Sequence, residues 1–223
     1  MKKWEKMPDY LRTNSVRPYY NILKKKWFFR FFKRLFDIFA SVILMLILFI
    51  PSFIIGLLIV CTSRGGPFFC QERVGRYGKP FRILKFRTMK KNSEGDKQIT
   101  SMNDSRITKI GTFLRKSHMD EFPQLLNVFV GQMSFVGTRP EVQKYVNFYN
   151  EEWNATFLMR PGITSTASFS YDDEAKYMSE DNAHEVYIKK VLPFKMNLNL
   201  EDLRKPSIFR DISILWKTLF RCK

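Results

Sequence analysis

An uncharged block of 23 residues, 38–60, constrains the fold more than any other feature of the chain. As one straight helix it would rise about 35 Å, enough to cross a hydrocarbon core of about 30 Å. Pro51 lies near its middle, where it cannot donate to the carbonyl of Ile47 and where its ring crowds the preceding turn. We therefore predict a helix that bends or breaks at Pro51, with Ser52 beside the break.

Basic residues flank this block on both sides, which the positive-inside rule associates with the cytoplasmic face of a membrane. A helix that breaks and leaves by the face it entered satisfies both flanks, but a proline-kinked span remains an equal alternative. Asp37, at the start of the block, is expected to pair with Arg34 one turn earlier. The basic flanks comprise Lys24, Lys25, Lys26, Arg30, Lys33 and Arg34 upstream, and Arg64, Arg73, Arg76, Lys79, Arg82, Lys85, Arg87, Lys90 and Lys91 downstream.

The chain has 38 Lys and Arg against 21 Asp and Glu, a formal charge of +17, and this excess predicts an anionic partner. Because the chain also carries an apolar block, anionic membrane lipid and membrane-bound phosphate are favoured and nucleic acid is not. The three cysteines, Cys61, Cys70 and Cys222, form no CxxC pair, so neither a zinc site nor a disulfide framework is indicated. Their presence as free thiols fits a reducing compartment.

The segments before and after the block predict helices and one β-hairpin. Residues 1–26 are polar and basic and are interpreted as a poorly ordered extension, while the alternating aromatic and basic residues 27–36 suit a helix entering the headgroup region. Residues 67–89 predict a hairpin in which Gly75 and Gly78 supply the turn. Residues 108–116 predict a short helix.

The second half of the chain predicts mainly helical structure. Residues 122–131 predict a helix with Pro123 in its first turn, and residues 142–159 a further helix, followed by a turn at 160–165. The acidic residues between 172 and 181 are interpreted as a solvated loop. At the C-terminus, an amphipathic helix capped by Ser207 is expected to pack on the core or to lie at a membrane interface, with an apolar face of Ile208, Ile212, Leu215 and Leu219.

Asp120 and Glu121 lie at the N-terminal edge of the helix predicted over 122–131. Free backbone N–H groups and the helix dipole favour anions at this position. Acidic residues there are usually helix caps, so position alone leaves both a structural and a functional role open.

The chain resembles the bacterial sugar transferases, the monotopic polyprenol-phosphate phosphoglycosyl transferases, in the small form that has only the catalytic core. The resemblance covers about 85% of the chain, from residue 33 to the C-terminus. Any one of its motifs is weak, whereas their fixed order after a proline-broken apolar helix is specific. In chain order the motifs are KRLFD, GGPFFCQERVG, GKPFRILKFRTM, LRKSHMDEFPQLLNVFVGQMSFVGTRPE and RPGIT.

The resemblance implies an α+β, mostly helical, membrane-associated fold. It comprises one re-entrant helix broken at Pro51, a small hairpin, and amphipathic interfacial helices around a cytoplasmic catalytic core. The implied divisions are a basic extension at 1–26, an interfacial and re-entrant helix at 27–63 and a catalytic domain at 64–223. The implied location is the cytoplasmic face of a bacterial inner membrane.

The implied activity is transfer of a sugar-1-phosphate from a UDP-sugar to undecaprenyl phosphate, with release of UMP and Mg²⁺ as cofactor. By resemblance, Asp120 is the nucleophile that forms a covalent intermediate, and Glu121, together with Asp120, is a metal ligand. By resemblance, Arg115 and Arg139 match basic positions near the phosphates, and Lys85 and Arg87 in KFRTM are further candidates. Each of the four could instead form a structural salt bridge.

A competing hypothesis is a non-catalytic module whose basic face binds anionic lipid or nucleic acid. It accounts for the charge and the apolar block, but it gives no reason for the segments DEFPQ and GTRPE.

Overall fold

The computed structural model describes residues 1–90, 106–170 and 183–220, and in these ranges the fold is α+β and mostly helical. The strands form two separate pairs, β1 with β2 and β3 with β4. The helices are α1 (Arg17–Lys25), α2 (Trp27–Ile47), α3 (Phe49–Thr62), α4 (Lys109–Lys116), α5 (Gln124–Phe129), α6 (Gln143–Val146), α7 (Thr166–Ser170), α8 (Ala183–Val186), α9 (Leu192–Arg204) and α10 (Ile208–Phe220), and the strands are β1 (Phe68–Val74), β2 (Pro80–Phe86), β3 (Ser134–Val136) and β4 (Gly162–Thr164).

The apolar block folds as two helices, α2 and α3, which meet at an angle of 61°. Across the described ranges, no single helix is both long and apolar enough to cross a bilayer, whereas the two helices together have the length and composition for it. Their outer surfaces are apolar and open, with Phe49 and Phe53 each more than two-thirds exposed.

The predicted break is confirmed, but it lies at Leu48, three residues before Pro51. A proline ring clashes with the carbonyl four residues earlier, so the disruption falls on the turn before the proline. Pro51 itself lies in the first turn of α3, where a missing N–H costs nothing. The N–H of Ser52 donates to the carbonyl of Leu48 at 2.8 Å and so starts the new helix.

The interpretation of residues 1–26 as poorly ordered is wrong. Two 3₁₀ turns, Trp4–Lys6 and Asp9–Leu11, precede α1, and apolar side chains of the segment are buried. Because these side chains are spread among many charged residues, the average composition hid the one apolar face that the segment buries. This N-terminal cluster packs against α9 and the 3₁₀ helix Trp153–Leu158 and contains Met7, Leu11, Val16, Tyr19, Tyr20 and Leu23.

The predicted hairpin is confirmed, with β1 and β2 antiparallel in a register that places Cys70 opposite Leu84. The N–H of Gly75 donates to the carbonyl of Lys79 at 2.9 Å and closes the turn. Gly78 is required by space as well as by its φ of +70°, because a Cβ there would lie 1.9 Å from the hydroxyl of Tyr10. The N-terminal segment therefore packs directly on the hairpin.

The segment 160–165 is not simply a turn, because Gly162–Thr164 forms β4 and pairs in parallel with β3. Two glycines permit this pairing: a Cβ on Gly162 would lie 2.2 Å from the backbone nitrogen of Gly137. A three-residue strand is too short to produce a periodic pattern, so no strand was predicted here. The close approach brings the VGTRP and RPGIT motifs together.

The prediction of one helix over 142–159 is also wrong, since the segment forms α6 and the separate 3₁₀ helix Trp153–Leu158. The side chain of Asn150 accepts a hydrogen bond from the N–H of Trp153 at 2.8 Å, a local side-chain contact that competes with a continuous helix. The acidic residues between 172 and 181 lie outside the described residues.

The C-terminal helix is confirmed as α10, but its main buried contact is Ile214, which packs beside β3. Of the predicted apolar face, Leu215 is partly buried against the same core. Ile208, Ile212 and Leu219 are instead 41%, 53% and 77% exposed. The helix thus uses one row of side chains for the core and leaves a second apolar row uncovered.

Asp37 does not pair with Arg34 as predicted. Its Oδ1 accepts hydrogen bonds from the hydroxyl of Ser134 at 3.0 Å and the N–H of Phe135 at 3.1 Å, at the start of β3. Arg34 instead donates to the carbonyls at the end of α5. A pairing rule for neighbouring helix positions describes an isolated helix, whereas here buried backbone groups compete for both side chains.

Candidate active site

A short reversal between α4 and α5 positions Asp120 and Glu121. Thr108 caps α4 by accepting a hydrogen bond from the N–H of Gly111 at 3.0 Å. After α4, His118 adopts a left-handed conformation with a φ of +56° and turns the chain into the 3₁₀ turn Met119–Glu121. The two acids therefore precede α5, as predicted, and the turn that carries them packs against β2.

Glu121 is the centre of a compact ion-pair cluster. Its Oε1 lies 2.7 Å from Nζ of Lys85 and 2.5 Å from a terminal guanidinium nitrogen of Arg139. Lys85 also approaches Asp120, with 3.8 Å between its Nζ and Oδ2. Four of the residues proposed from the sequence therefore come together, although they lie in three segments of the chain.

The environments of the two acids differ. Burial raises the pKa of Glu121, but Arg139 and Lys85 outweigh this and hold the pKa well below its ordinary value. Burial raises the pKa of Asp120; Lys85 lowers it, and the charge of Glu121 raises it again. Glu121 is thus held firmly as a carboxylate, whereas Asp120 is the more basic of the two, with Nζ of Lys85 3.8 Å away.

The parallel strand pair positions Arg139. Its guanidinium donates to the carbonyl of Ile163 in β4 at 3.2 Å. The next residue, Pro140, is held through its carbonyl, which accepts from Arg73 in β1 at 3.0 Å. Arg139 therefore reaches Glu121 from a loop fixed on both sides.

Sequence reasoning noted Arg73 only as one of many basic residues and missed its role in holding this loop. Its guanidinium also lies 3.9 Å from the carboxylate of Glu141, which accepts a hydrogen bond from the hydroxyl of Tyr187 at 2.6 Å. A basic residue within a strand among many other basic residues carries no signal of such a contact. The motif GTRPE, which contains Glu141, offered the nearest hint.

Arg115 and Arg87 occupy different positions from each other. Arg115 lies at the end of α4, donates from Nε to the hydroxyl of Thr88 at 2.8 Å, and lowers the pKa of Asp120. Arg87 donates to the carbonyls of Ser63, Arg64 and Gly65, at the exit of α3. Arg115 is therefore electrostatically coupled to the acids, whereas the described contacts of Arg87 fix the apolar helix pair to β2.

The donor set suits a magnesium ion only if the substrate supplies further oxygen ligands. Among the described residues, no group of three or more His, Cys, Asp or Glu could hold a metal. Mg²⁺, however, is commonly bound by one or two carboxylates together with substrate phosphates and water. Asp120 and Glu121 meet that lower requirement.

The carboxylate pair and its cations lie beside the apolar helix α3 and have the chemistry that suits a phosphorylated, negatively charged substrate. The chain belongs to the bacterial sugar transferase family, whose model matches residues 28–222. The matched range includes all of α2 except Trp27, all of α3 and all the residues of the ion-pair cluster.

Several relatives with described activities are similar over most of the chain. A UDP-galactose-lipid carrier transferase from Erwinia amylovora is 33% identical over 85% of the chain. The UDP-glucose:undecaprenyl-phosphate glucose-1-phosphate transferase of Escherichia coli K12 is 34% identical over 86%. The chain covers 40% of the length of each of these two proteins. The exopolysaccharide production protein ExoY of Rhizobium meliloti is 31% identical, and 83% of its length is covered.

Proposed function

We propose that the protein transfers a sugar-1-phosphate from a UDP-sugar to undecaprenyl phosphate, the first membrane step in the synthesis of a surface polysaccharide. The observation that carries the proposal is Asp120, an acid of raised pKa beside a carboxylate that two cations hold in place. Family membership and the activities named for the relatives support the same reaction.

In the first step, an oxygen of Asp120 attacks the phosphorus that bears the sugar. A new P–O bond to Asp120 forms, the bond from phosphorus to the bridging oxygen breaks, and UMP leaves with that electron pair. A carboxylate of raised pKa is a better nucleophile than one of ordinary pKa once it is ionised. The product is an aspartyl-phosphosugar.

In the second step, a phosphate oxygen of undecaprenyl phosphate attacks the same phosphorus. The bond to Asp120 breaks and the carboxylate is regenerated, while the sugar-1-phosphate is now joined to the lipid through a diphosphate. No oxidant or further reactant is needed, and the enzyme returns to its starting state.

Lys85, Arg139 and Arg115 neutralise charge during these steps. A carboxylate approaching a diphosphate is repelled, so cations must compensate where negative charge accumulates in the transition state. Arg139 is 43% exposed although it contacts Glu121, so part of its guanidinium is accessible to a substrate. Arg87 is assigned to positioning the apolar helix pair against β2.

Glu121 and Asp120 would hold Mg²⁺, with the remaining ligands from phosphate and water. When bound, the ion would supply Lewis-acid neutralisation of the diphosphate. Glu121 is suited to this because its low pKa keeps it ionised.

We assign α2 and α3 to a re-entrant element, with a membrane part at 27–63 and a catalytic domain at 64–223 on the cytoplasmic face of the inner membrane. The 61° bend and the exposed apolar surfaces support this, and the contacts of Arg87 connect the exit of α3 to the strand that carries Lys85. Undecaprenyl phosphate presents its phosphate at headgroup level, so a catalyst held there reaches it without extracting the lipid.

The test is to incubate the full chain in membranes with UDP-glucose or UDP-galactose, Mg²⁺ and undecaprenyl phosphate, and to identify the released nucleotide. Release of UMP with formation of a polyprenyl diphosphate sugar is expected. Release of UDP would instead identify an ordinary glycosyltransferase and overturn the proposal.

A further inference from the structure

A second cationic site lies at the opposite end of α5 from Glu121. It is a cavity of about 290 Å³ between the start of α2, the hairpin turn and the start of β3, close to the lower limit of small-molecule sites, about 300 Å³. None of Asp120, Glu121, Lys85, Arg115 and Arg139 lines it. We call it the arginine cavity, after four of the side chains that line it: Arg30, Arg34, Arg76 and Arg160.

Backbone carbonyl groups hold three of these arginines in place. Arg34 donates to the carbonyls of Val128 and Phe129 at 2.7 Å each, and Arg160 donates from Nε to the carbonyl of Gly131 at 2.7 Å. Arg76 donates from Nε to the carbonyl of Leu158 at 3.1 Å. These contacts satisfy only part of each five-donor guanidinium, so the groups are fixed while donor capacity remains.

Gly131 shows how tightly the cluster is built. It has a φ of +87°, and a Cβ there would lie 3.1 Å from a terminal nitrogen of Arg34 and 3.7 Å from Nε of Arg160. Two guanidinium groups therefore converge on one backbone position. Two like charges are stable at such a point only if an anion or backbone oxygens compensate them.

Carboxylates compensate little of this charge. Within the described residues, none of the four arginines forms an ion pair, and Lys33, which also lines the cavity, pairs with Asp211. Among the described residues of the lining, the one acid is Asp37, whose Oδ1 accepts hydrogen bonds from Ser134 and Phe135. Four guanidinium charges thus face at most one carboxylate.

One buried donor in the cluster lacks a hydrogen-bond partner in the part of the chain that the structure describes. Nε of Arg30 is inaccessible and makes no hydrogen bond to any described group. A buried charged donor without an acceptor costs free energy, so its retention indicates an acceptor that binds there. The two aromatic residues in the lining, Trp27 and Phe31, are 54% and 57% exposed at the start of α2.

We infer that the arginine cavity binds a phosphate group, separately from the site at Asp120 and Glu121. Guanidinium groups fixed by backbone contacts match phosphate oxygens through paired hydrogen bonds. The exposed rings of Trp27 and Phe31 at the rim suit an anionic phospholipid, whose phosphate would lie among the arginines. A soluble phosphate presents the same group to the arginines. The inference does not depend on the proposed transfer reaction, because it concerns binding alone.

The test is native mass spectrometry of the full chain released from detergent, after titration with dioctanoyl phosphatidylglycerol, alongside calorimetry with inorganic phosphate. The cavity variant is Arg30→Gln with Arg76→Gln. The matched control is Lys24→Gln with Lys25→Gln, which removes the same charge from two exposed residues of α1 outside the lining. We expect one retained phosphatidylglycerol, bound at least about tenfold more weakly by the cavity variant and unchanged in the control, because charge-assisted hydrogen bonds are lost.

The two arms distinguish the source of the phosphate. Binding of inorganic phosphate that depends on Arg30 and Arg76, without tighter binding of phosphatidylglycerol, supports the site with a soluble ligand. Equal loss in both double variants, or unchanged binding by the cavity variant, overturns the inference. Thermal unfolding verifies that each variant is folded. If the double variant does not fold, Arg30→Gln alone replaces it, because its Nε makes no hydrogen bond to any described residue.

Discussion

Cations collect at both ends of α5, but they are compensated in different ways. At the start, Lys85 and Arg139 share one carboxylate oxygen of Glu121. At the end, Arg34 and Arg160 are held by backbone carbonyls and converge on Gly131. The first cluster is closed by charge within the protein, and the second is open to an external anion.

This difference separates two tasks that basic residues perform. Cations paired with a carboxylate are positioned in advance and can stabilise negative charge that develops during a reaction. Cations held only by neutral groups stay in place and favour a resident anion. The total charge of +17 conceals this division, which only the partners of each residue reveal.

Asp120→Asn would remove the nucleophile and leave both cationic clusters intact. We expect the rate of UMP release to fall by about 10⁴-fold, since loss of one member of a catalytic group has effects of that order. The measurement is UMP release in membranes, with thermal unfolding as the test of folding. Full activity in this variant would remove Asp120 as the nucleophile.

Glu121→Gln would remove the carboxylate that Lys85 and Arg139 share. We call these three residues the closed cluster. We expect the free energy of unfolding to fall by about 2–3 kcal/mol, at the low end for a broken buried pair because Arg139 is 43% exposed. The measurement is urea denaturation in detergent. The control is Glu72→Gln on the exposed side of β1, for which a change within about 0.5 kcal/mol is expected. Equal losses in the two variants would contradict the closed-cluster description.

Phe31→Glu would add a carboxylate to the arginine cavity, whose arginines have no carboxylate partner among the described residues. We expect phosphatidylglycerol retention to weaken about fivefold, since one partly exposed charge contributes on the order of 1 kcal/mol. The control is Phe32→Glu, which lies next to it on α2, is 48% exposed and does not line the cavity. A comparable loss in the control would show that the cavity is not a discrete site.

The smallest effect is a pH dependence of the closed cluster. Arg139 and Lys85 hold the folded-state pKa of Glu121 below its unfolded value, so its stabilisation is present above about pH 4.3 and is lost as the pH falls. Between pH 5 and pH 4, the difference in unfolding free energy between the wild type and Glu121→Gln should narrow by about 0.5 kcal/mol. Urea denaturation in EDTA measures this difference, and a difference that widens on acidification would contradict the assignment.

Local signals in the sequence were sufficient for several elements. Turn glycines at 75 and 78 predicted the hairpin, Pro123 the start of α5, and Pro51 a bend that fell one turn earlier. The ordered motifs brought Asp120, Glu121, Lys85 and Arg139 into one proposed site, and the structure places them together. Their catalytic roles remain predictions.

The predictions that were wrong concern residues whose partners are distant in the chain. The partner of Asp37 lies 97 residues away at Ser134, and the N-terminal cluster is covered by α9 near residue 200. The strand at Gly162–Thr164 exists because two glycines allow its backbone to approach β3. None of these contacts leaves a periodic pattern, so no local rule could have found them.

The contacts of Arg87 have a mechanical consequence. Arg87 directly follows β2, and its guanidinium donates to the three carbonyls at the exit of α3. Lys85 lies two residues earlier, in β2, about 7 Å of extended chain away. Because this connection is short, a tilt of α3 would move Lys85, which contacts both Asp120 and Glu121. In the membrane placement proposed above, the thickness of the bilayer would therefore affect the rate of the proposed reaction.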